Sequence, residues 1–164
     1  MRKPRVIVPG AGYHVVARAN RQEFIFKSRE AKNLIISIVA RAKKKYRFAL
    51  ANFCIMSNHV HFLIFPEEGE SLSKIMKWIL SCFAQAYNRM NGLKGHVWYD
   101  RFKSSVVQTM RYFANVFKYI SHNPVKASIV QEPWDYQYGG LYHILVGDWT
   151  IVTPPREIVR LLGG

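Results

Sequence analysis

The chain has 164 residues, of which 49% are hydrophobic and 14% aromatic, enough for one folded domain and too apolar for a disordered chain. No apolar run reaches the roughly 18 residues that a membrane span needs, and the opening MRKPRVIVPGAG is too short and too broken by Pro and Gly for a secretory signal. Lys and Arg number 24 against 10 Asp and Glu, and this net charge of +14 predicts a polyanionic partner, nucleic acid before anionic membrane.

The first third of the chain predicts one strand followed by one helix. Residues 12–20, GYHVVARAN, alternate apolar and polar side chains, which is typical of a strand. Ser28 can cap the helix that follows, and Glu30 supports its first turn. The apolar face of this helix comprises Leu34, Ile35, Ile38, Val39 and Ala42. The lysines at 43–45 complement the carboxyl end of the helix, so we expect a structural role for them.

The middle of the chain predicts a pair of strands and a long helix. Residues 47–56 and 59–65 are the two strands, and the turn-forming Ser-Asn pair at 57–58 joins them tightly. A helix follows over about residues 71–91, with Gly92 as its stop signal. Its apolar stripe comprises Ile75, Met76, Ile79, Leu80, Phe83, Ala84 and Tyr87.

The last third predicts a short strand at 105–109 and a third helix at about 110–122. The apolar positions of this helix are Tyr112, Phe113, Val116, Phe117 and Ile120. From Pro133 onward the chain is rich in Trp, Tyr, Gly and Pro, and we expect irregular structure with a short last helix at 155–162.

The order of these elements predicts an α+β fold, with a ferredoxin-like or RRM-like antiparallel sheet and helices on one face. With no repeat and no long linker, residues 1–164 are predicted to form a single domain, with a basic arm over about 1–10 and an irregular tail over about 133–164. Cys54 and Cys82 each lie in an apolar segment, which favours buried free thiols in a reducing compartment over a disulfide. We therefore expect a cytoplasmic protein.

A pair of histidines, His59 and His61, stands two residues apart in the third predicted strand. Side chains at i and i+2 of a strand share a face, so both imidazoles can reach one metal ion from a rigid platform. Phe62 and Ile64 then point to the opposite face. Two imidazoles leave most of the coordination sphere open for substrate oxygens, as a catalytic metal requires. Two histidines of a satisfied core would show the same spacing.

The third helix places Tyr119 at the margin of its apolar stripe, and Asn123 lies four residues later near the same margin. Both side chains can therefore face one site. Two structural interpretations stay open: Tyr119 can simply pack as an amphipathic residue, and Asn123 can cap a new helix that begins with PVKAS at Pro124.

Three runs of the chain resemble the single-tyrosine HUH transposases, and within them the REP-associated tyrosine transposases of the IS200-like group. These runs are MSNHVHFLIF at 56–65, GHVWYDRFKSS at 95–105 and YISHNPVKASIV at 119–130. The opening PRVIVPGAGYHVVARANRQEFIF is similar to the same branch. The resemblance covers nearly the whole chain in the right order.

The resemblance implies a role for each matching residue. His59 and His61 would be the metal pair, Tyr119 the nucleophile, and Asn123 the third ligand, at a position where related enzymes often have Gln. The family uses Mg²⁺ or Mn²⁺. This chain departs from the common pattern of the family at His122 and at Asp100.

The activity implied by the resemblance is metal-dependent cleavage and strand transfer of single-stranded DNA that bears a hairpin, through a 5′-phosphotyrosine intermediate. The enzyme would act as a monomer or a homodimer, in the cytoplasm beside the nucleoid and without a membrane. Lys and Arg suit the DNA backbone, and aromatic side chains suit stacked bases. The candidate DNA contacts are Arg2, Lys3 and Arg5 in the arm, together with Arg18, Arg21, Arg101 and Lys103 beside the motifs.

Two other functions remain compatible with the residues alone. One is an RRM-like protein that binds nucleic acid without catalysis, although the predicted sheet lacks an RNP-type aromatic run. The other is a metal-dependent nuclease that uses water instead of Tyr119.

Overall fold

The computed structural model describes residues 4–20 and 23–162. Its strands are β1 (Gly12–Arg18), β2 (Phe48–Ile55), β3 (His59–Pro66) and β4 (Lys103–Val107). Its helices are α1 (Arg29–Lys45), α2 (Leu72–Asn91), α3 (Met110–Lys126), α4 (Gly140–Val146) and α5 (Pro155–Leu161), with one 3-10 turn at Pro133–Asp135.

The four strands form one antiparallel sheet in the order β2-β3-β1-β4. This is the ferredoxin-like arrangement, and the α+β fold predicted from the sequence is confirmed. The fourth strand begins at Lys103, two residues before the predicted start, because pairing with β1 extends from Val107 back to Lys103.

Local signals set the ends of the first two helices as the sequence predicts. The Ser28 hydroxyl accepts a hydrogen bond from the Ala31 amide at 3.1 Å, and Ser71 caps α2 in the same way through the Lys74 amide at 3.2 Å. Gly92 ends α2 in the left-handed conformation, with φ of 63°.

One face of the sheet is fully covered by α1 and α2. Alternate residues of β1 and β3 supply this core, among them Val15, Phe62 and Ile64, and all three are buried. Ile35 of α1 and Phe83 of α2 pack onto them from the helices. The predicted direction of Phe62 and Ile64 is confirmed.

The opposite face is only partly covered. Helix α3 lies over β2 and β3, where Val116 and Ile120 pack against Leu63 and Phe65. The other half of this face belongs to β1 and β4. Its outward side chains are His14, Val16, Arg18, Lys103 and Ser105, and each is half-buried or exposed. We call this surface the open half-face.

Helix α3 differs from the sequence analysis in two respects. The sequence predicts an end at about residue 122, whereas α3 continues through Pro124 to Lys126, so the interpretation of Asn123 as the cap of a new helix does not hold. Pro124 has no N–H to donate to the Ile120 carbonyl, so α3 lacks that one bond and ends two residues later. Tyr112, predicted on the apolar stripe, is 41% exposed, because it lies on the first turn of α3.

The tail from residue 133 is more regular than predicted. It contains the 3-10 turn and α4 in addition to the expected last helix, α5. It packs along β2, where the Ile55 amide donates to the Tyr138 carbonyl and the Thr153 amide donates to the Leu50 carbonyl. The first residue of α4, Gly140, has to be glycine, because any side chain there would collide with Asn52. Among the described helices, none is both long and apolar enough to cross a membrane.

Candidate active site

Strand β3 presents His59 and His61 on the face that α3 partly covers. Their ring centroids are 5.0 Å apart and the rings are nearly perpendicular, at 76°. His61 is 2% exposed, whereas His59 at the start of the strand is half-buried. The pair is rigid because Val60 and Phe62, the alternate residues of the same strand, are held in the opposite core.

The hydrogen bonds of the two imidazoles leave one nitrogen of each available. His59 Nδ1 lies 2.8 Å from Asn58 Oδ1, and since an amide oxygen only accepts, His59 carries its proton on Nδ1 and a lone pair on Nε2. His61 Nδ1 lies 3.0 Å from Nε2 of His14. The remaining atom, His61 Nε2, is buried and has no hydrogen-bond partner among the described residues.

Burial keeps these histidines neutral. Desolvation, reinforced by nearby positive charge, lowers the pKa of His61 to about 3. Desolvation and the charge of Arg18 lower the pKa of His59 to about 4. Neutral imidazole is the form that binds metal ions, so the orphaned Nε2 of His61 and the lone pair of His59 fit a divalent cation.

Helix α3 holds Tyr119 over these histidines. The phenol ring is 47% exposed, and its centroid lies 5.8 Å from the ring of His61 and 5.9 Å from that of His14, edge-on to both. The next residue, Ile120, is fully buried and anchors the helix. Tyr119 is therefore fixed by its backbone while its side chain reaches solvent. Lys126, about two helical turns further along, places its Nζ 5.7 Å from the phenol ring centroid.

A buried amide ties α3 to the sheet beside Tyr119. Asn52 of β2 is 0% exposed and donates from Nδ2 to the Phe117 carbonyl at 3.1 Å and to the Ser121 hydroxyl at 2.9 Å. Its Oδ1 accepts from the Phe53 amide at 2.9 Å. These contacts bracket Tyr119 on both sides in the chain. Sequence reasoning missed Asn52, although an Asn within the apolar run FALANFCI is a signal for a buried polar contact.

Asn123 lies one helical turn after Tyr119, and its Nδ2 donates to the Tyr119 carbonyl at 3.2 Å. The amide oxygen is the atom that this bond leaves for a metal ion. Within residues 4–20 and 23–162, no group of three or more His, Cys, Asp or Glu side chains is arranged to hold a metal ion. His122 lines a cavity of about 440 Å³ together with Tyr119, Lys118 and Lys126.

The predicted DNA contacts fall into three groups. Arg18 and Lys103 lie exposed on the open half-face beside the histidines. Arg5 lies 3.6 Å above the Phe102 ring and donates to the Phe102 carbonyl at 2.6 Å, so this side chain packs against the loop before β4. Arg101 is exposed in that loop, where the Asp100 carboxylate accepts from its backbone amide at 2.7 Å.

Three further candidates, Arg2, Lys3 and Arg21, lie outside the described residues. The sequence reasoning also missed His14. Its position four residues before Arg18 on the alternating pattern of β1 places it on the same face of the sheet as Arg18, the face to which the histidine pair belongs.

The sequence model of the IS200-like transposases matches residues 7–123 of this chain. A curated protein of Haemophilus influenzae, described as a REP-associated tyrosine transposase, is 24% identical over 107 residues. The alignment covers 59% of this chain and 61% of the relative, so the chain spans about three fifths of that relative's length.

Two solved structures share the fold. The structure of a REP-associated tyrosine transposase bound to a REP hairpin superimposes with a TM-score of 0.76 at 18% identity, covering 89% of this chain and 86% of the other. A crystal structure of a Deinococcus radiodurans protein assigned as a transposase gives a TM-score of 0.52 at 16% identity, covering 74% and 97% of the two chains.

Proposed function

This chain belongs to the family of IS200-like transposases, and from that premise we propose that it cleaves and rejoins single-stranded DNA through a covalent bond to Tyr119. The observation that carries the proposal is the meeting of three groups at the edge of the open half-face: the phenol of Tyr119 and the imidazoles of His59 and His61. In the proposed reaction, one phosphate group lies between the phenol and the two imidazoles. A tyrosine that only packed would not need to stand 47% exposed against a buried imidazole.

The reaction begins with attack of the Tyr119 phenol oxygen on the phosphorus of one phosphodiester. The new bond joins this oxygen to the 5′ phosphate, the bond from phosphorus to the 3′ oxygen breaks, and that oxygen leaves as a hydroxyl. The phosphotyrosine diester keeps the energy of the broken bond, so attack by another 3′ hydroxyl rejoins DNA without ATP. Anchoring of α3 by Asn52 keeps the phenol in place during both steps.

His59 and His61 would hold a divalent metal ion, Mg²⁺ or Mn²⁺, through their unprotonated Nε2 atoms, and the amide oxygen of Asn123 would be the third protein ligand. Such an ion would supply charge stabilisation to the phosphoryl oxygens and to the leaving oxygen. Asn123 is shorter than Gln by one methylene, and the bond from its Nδ2 to the Tyr119 carbonyl holds its amide beside the phenol.

The DNA strand crosses the open half-face on its way to Tyr119. Arg18 and Lys103 lie there exposed and contact phosphates, while Val16 between them offers an apolar surface for a base or sugar. The hairpin that this strand carries is inferred from the related transposase solved with a REP hairpin. Arg5 and Arg101 then lie toward the foot of the hairpin.

The experiment that tests this function compares two tyrosine variants on a labelled hairpin oligonucleotide with a single-stranded flank, in Mn²⁺. Tyr119→Phe removes only the nucleophilic oxygen, so cleavage should be lost while binding remains. Tyr112→Phe is the matched control, because Tyr112 is on the same helix and is also exposed, at 41%, but lies on the first turn, about two turns before Tyr119.

Each rival function gives a different result. If the protein is a nuclease that uses water, the Tyr119→Phe variant still cleaves the DNA. A binding protein without catalysis shows no cleavage with the wild-type chain. Loss in Tyr119→Phe with retention in Tyr112→Phe supports strand transfer through Tyr119.

A further inference from the structure

His14 of β1 makes a direct contact with His61 of β3. His14 Nε2 lies 3.0 Å from His61 Nδ1, and the rings are nearly parallel, at 19°, with centroids 5.2 Å apart. In the register of the sheet, His61 faces Val16, so His14 is its diagonal neighbour. A diagonal pair meets only when the side chains are long enough to bridge the gap, as two imidazoles are.

A single proton lies between these two nitrogens, and its position decides what His61 can do. If it belongs to His14, then His61 must carry its own proton on Nε2, where a buried N–H would donate to nothing among the described residues. If it belongs to His61 Nδ1, then Nε2 carries a lone pair. Buried N–H groups without acceptors are rarer and more costly than underused acceptors, so the second arrangement is favoured.

We propose that His14 is a positioning residue that accepts the Nδ1 proton of His61 and so holds the Nε2 lone pair of His61 toward the metal ion. The part of this inference that concerns the metal ion rests on the proposed function. Histidine ligands commonly donate their second N–H to an outer acceptor, which fixes the tautomer and the ring plane.

The neighbouring histidine supports this role by comparison. His59 is oriented by the amide oxygen of Asn58, which can only accept. His14 does for His61 what Asn58 does for His59, so each metal-facing imidazole has its own acceptor. The two acceptors come from different places, the β2–β3 turn and strand β1, which fixes the two rings independently.

The first test reads the tautomer of His61 in metal-free wild-type protein, by long-range ¹⁵N–¹H NMR correlation of the imidazoles. A His61→Gln spectrum assigns the signals. We expect the proton of His61 on Nδ1 and an unprotonated Nε2. A proton on Nε2 overturns the proposal, whatever the protein does to DNA.

The second test measures Mn²⁺ affinity by electron paramagnetic resonance in two variants whose folding is checked by thermal melting. His14→Phe keeps a ring but offers no acceptor, and it should weaken Mn²⁺ binding by about 10- to 100-fold, as loss of an outer-shell partner does. His14→Gln places an amide oxygen near the position of Nε2 and should bind nearer to the wild-type value. Equal affinity in His14→Phe and wild type, or no Mn²⁺ binding by wild type, overturns the proposal.

These outcomes separate the two proposals. If the wild type cleaves through Tyr119 but His61 carries its proton on Nε2, the function stands and the role of His14 falls. If no DNA is cleaved but the tautomer and the Mn²⁺ affinities are as expected, the role of His14 stands and the proposed reaction falls.

Discussion

The two faces of the sheet differ in how completely they are covered. Under α1 and α2 the alternate residues of β1 and β3 form a closed apolar core that includes Val15 and Phe62. On the other face, α3 lies over β2 and β3. On the neighbouring strand β1, His14 is therefore only half-buried and Arg18 is exposed to solvent. Because strand residues alternate, neighbours in sequence serve these two faces separately. In the same strand, one residue therefore stabilises the core while the next one faces the candidate active site.

The adjacent residues His61 and Phe62 offer the strongest test of this division. Phe62→Ala should lower the free energy of unfolding by about 3–5 kcal/mol, because a large buried side chain is replaced by a cavity. His61→Ala should instead reduce cleavage by more than about 100-fold, since even outer-shell partners of metal ligands contribute 10- to 100-fold. Urea unfolding and a cleavage assay on the folded protein measure the two effects. If folded Phe62→Ala protein loses as much cleavage activity as His61→Ala, stability and chemistry are not divided between the two faces.

Asn52 lies in the half of this face that α3 covers, and its variant tests whether the docking of α3 also supports the chemistry at Tyr119. Asn52→Ala leaves the Ser121 hydroxyl and the Phe53 amide without a buried partner, which should lower stability by about 1–3 kcal/mol. Cleavage should slow as well, because α3 then holds Tyr119 less firmly. Ser37→Ala, which removes a hydroxyl bonded only within α1, is the control. An Asn52→Ala protein with wild-type stability and rate would contradict the anchoring role.

The open half-face should bind phosphates, whereas the outer surface of α1 should not. Arg18→Ala and Lys103→Ala should each weaken binding of single-stranded DNA and reduce the salt dependence of the affinity by about one phosphate contact. Lys44→Ala, an exposed lysine at the end of α1, should leave both unchanged. Fluorescence anisotropy at several salt concentrations measures this. Equal effects in all three variants would mean that only net charge matters.

The smallest expected effect concerns the two thiols. Cys54 is buried beneath the tail and α3, and burial raises its pKa to about 12, whereas Cys82 on α2 is half-buried. Iodoacetamide should therefore modify Cys82 first in the native protein, because only the thiolate reacts. Mass spectrometry over time gives the order. Faster labelling of Cys54 would show that α3 and the tail separate readily from the strands they cover.

The elements of the fold could be predicted because their signals are local. Ser28, Ser71 and Gly92 mark helix ends within one turn, and the alternation of β3 separates His61 from Phe62 without any long-range information. Pro124 misled the prediction of the end of α3, because proline usually ends a helix or begins a new one, whereas α3 continues through it for two more residues. Helix α4 was missed because it is short and is positioned by contact with distant Asn52.

The candidate site was only partly predictable for the same reason. The spacing of His59 and His61 and the place of Tyr119 on its helix are visible in the sequence. The contact of His14 with His61 depends on strand register, and that of Asn52 with Ser121 depends on how α3 docks. Residues that meet across strands or layers carry no local signal of their partner.

The most direct test of the account is the identity of the residue that becomes joined to DNA. After incubation with a hairpin oligonucleotide and Mn²⁺, trypsin should release residues 119–126, YISHNPVK, separately from residues 112–118, because Lys118 and Lys126 end these peptides. We expect mass spectrometry to find a 5′-phosphonucleotide on Tyr119 in the first peptide. Cleaved DNA with both peptides unmodified, or an adduct on Tyr112, would contradict the account.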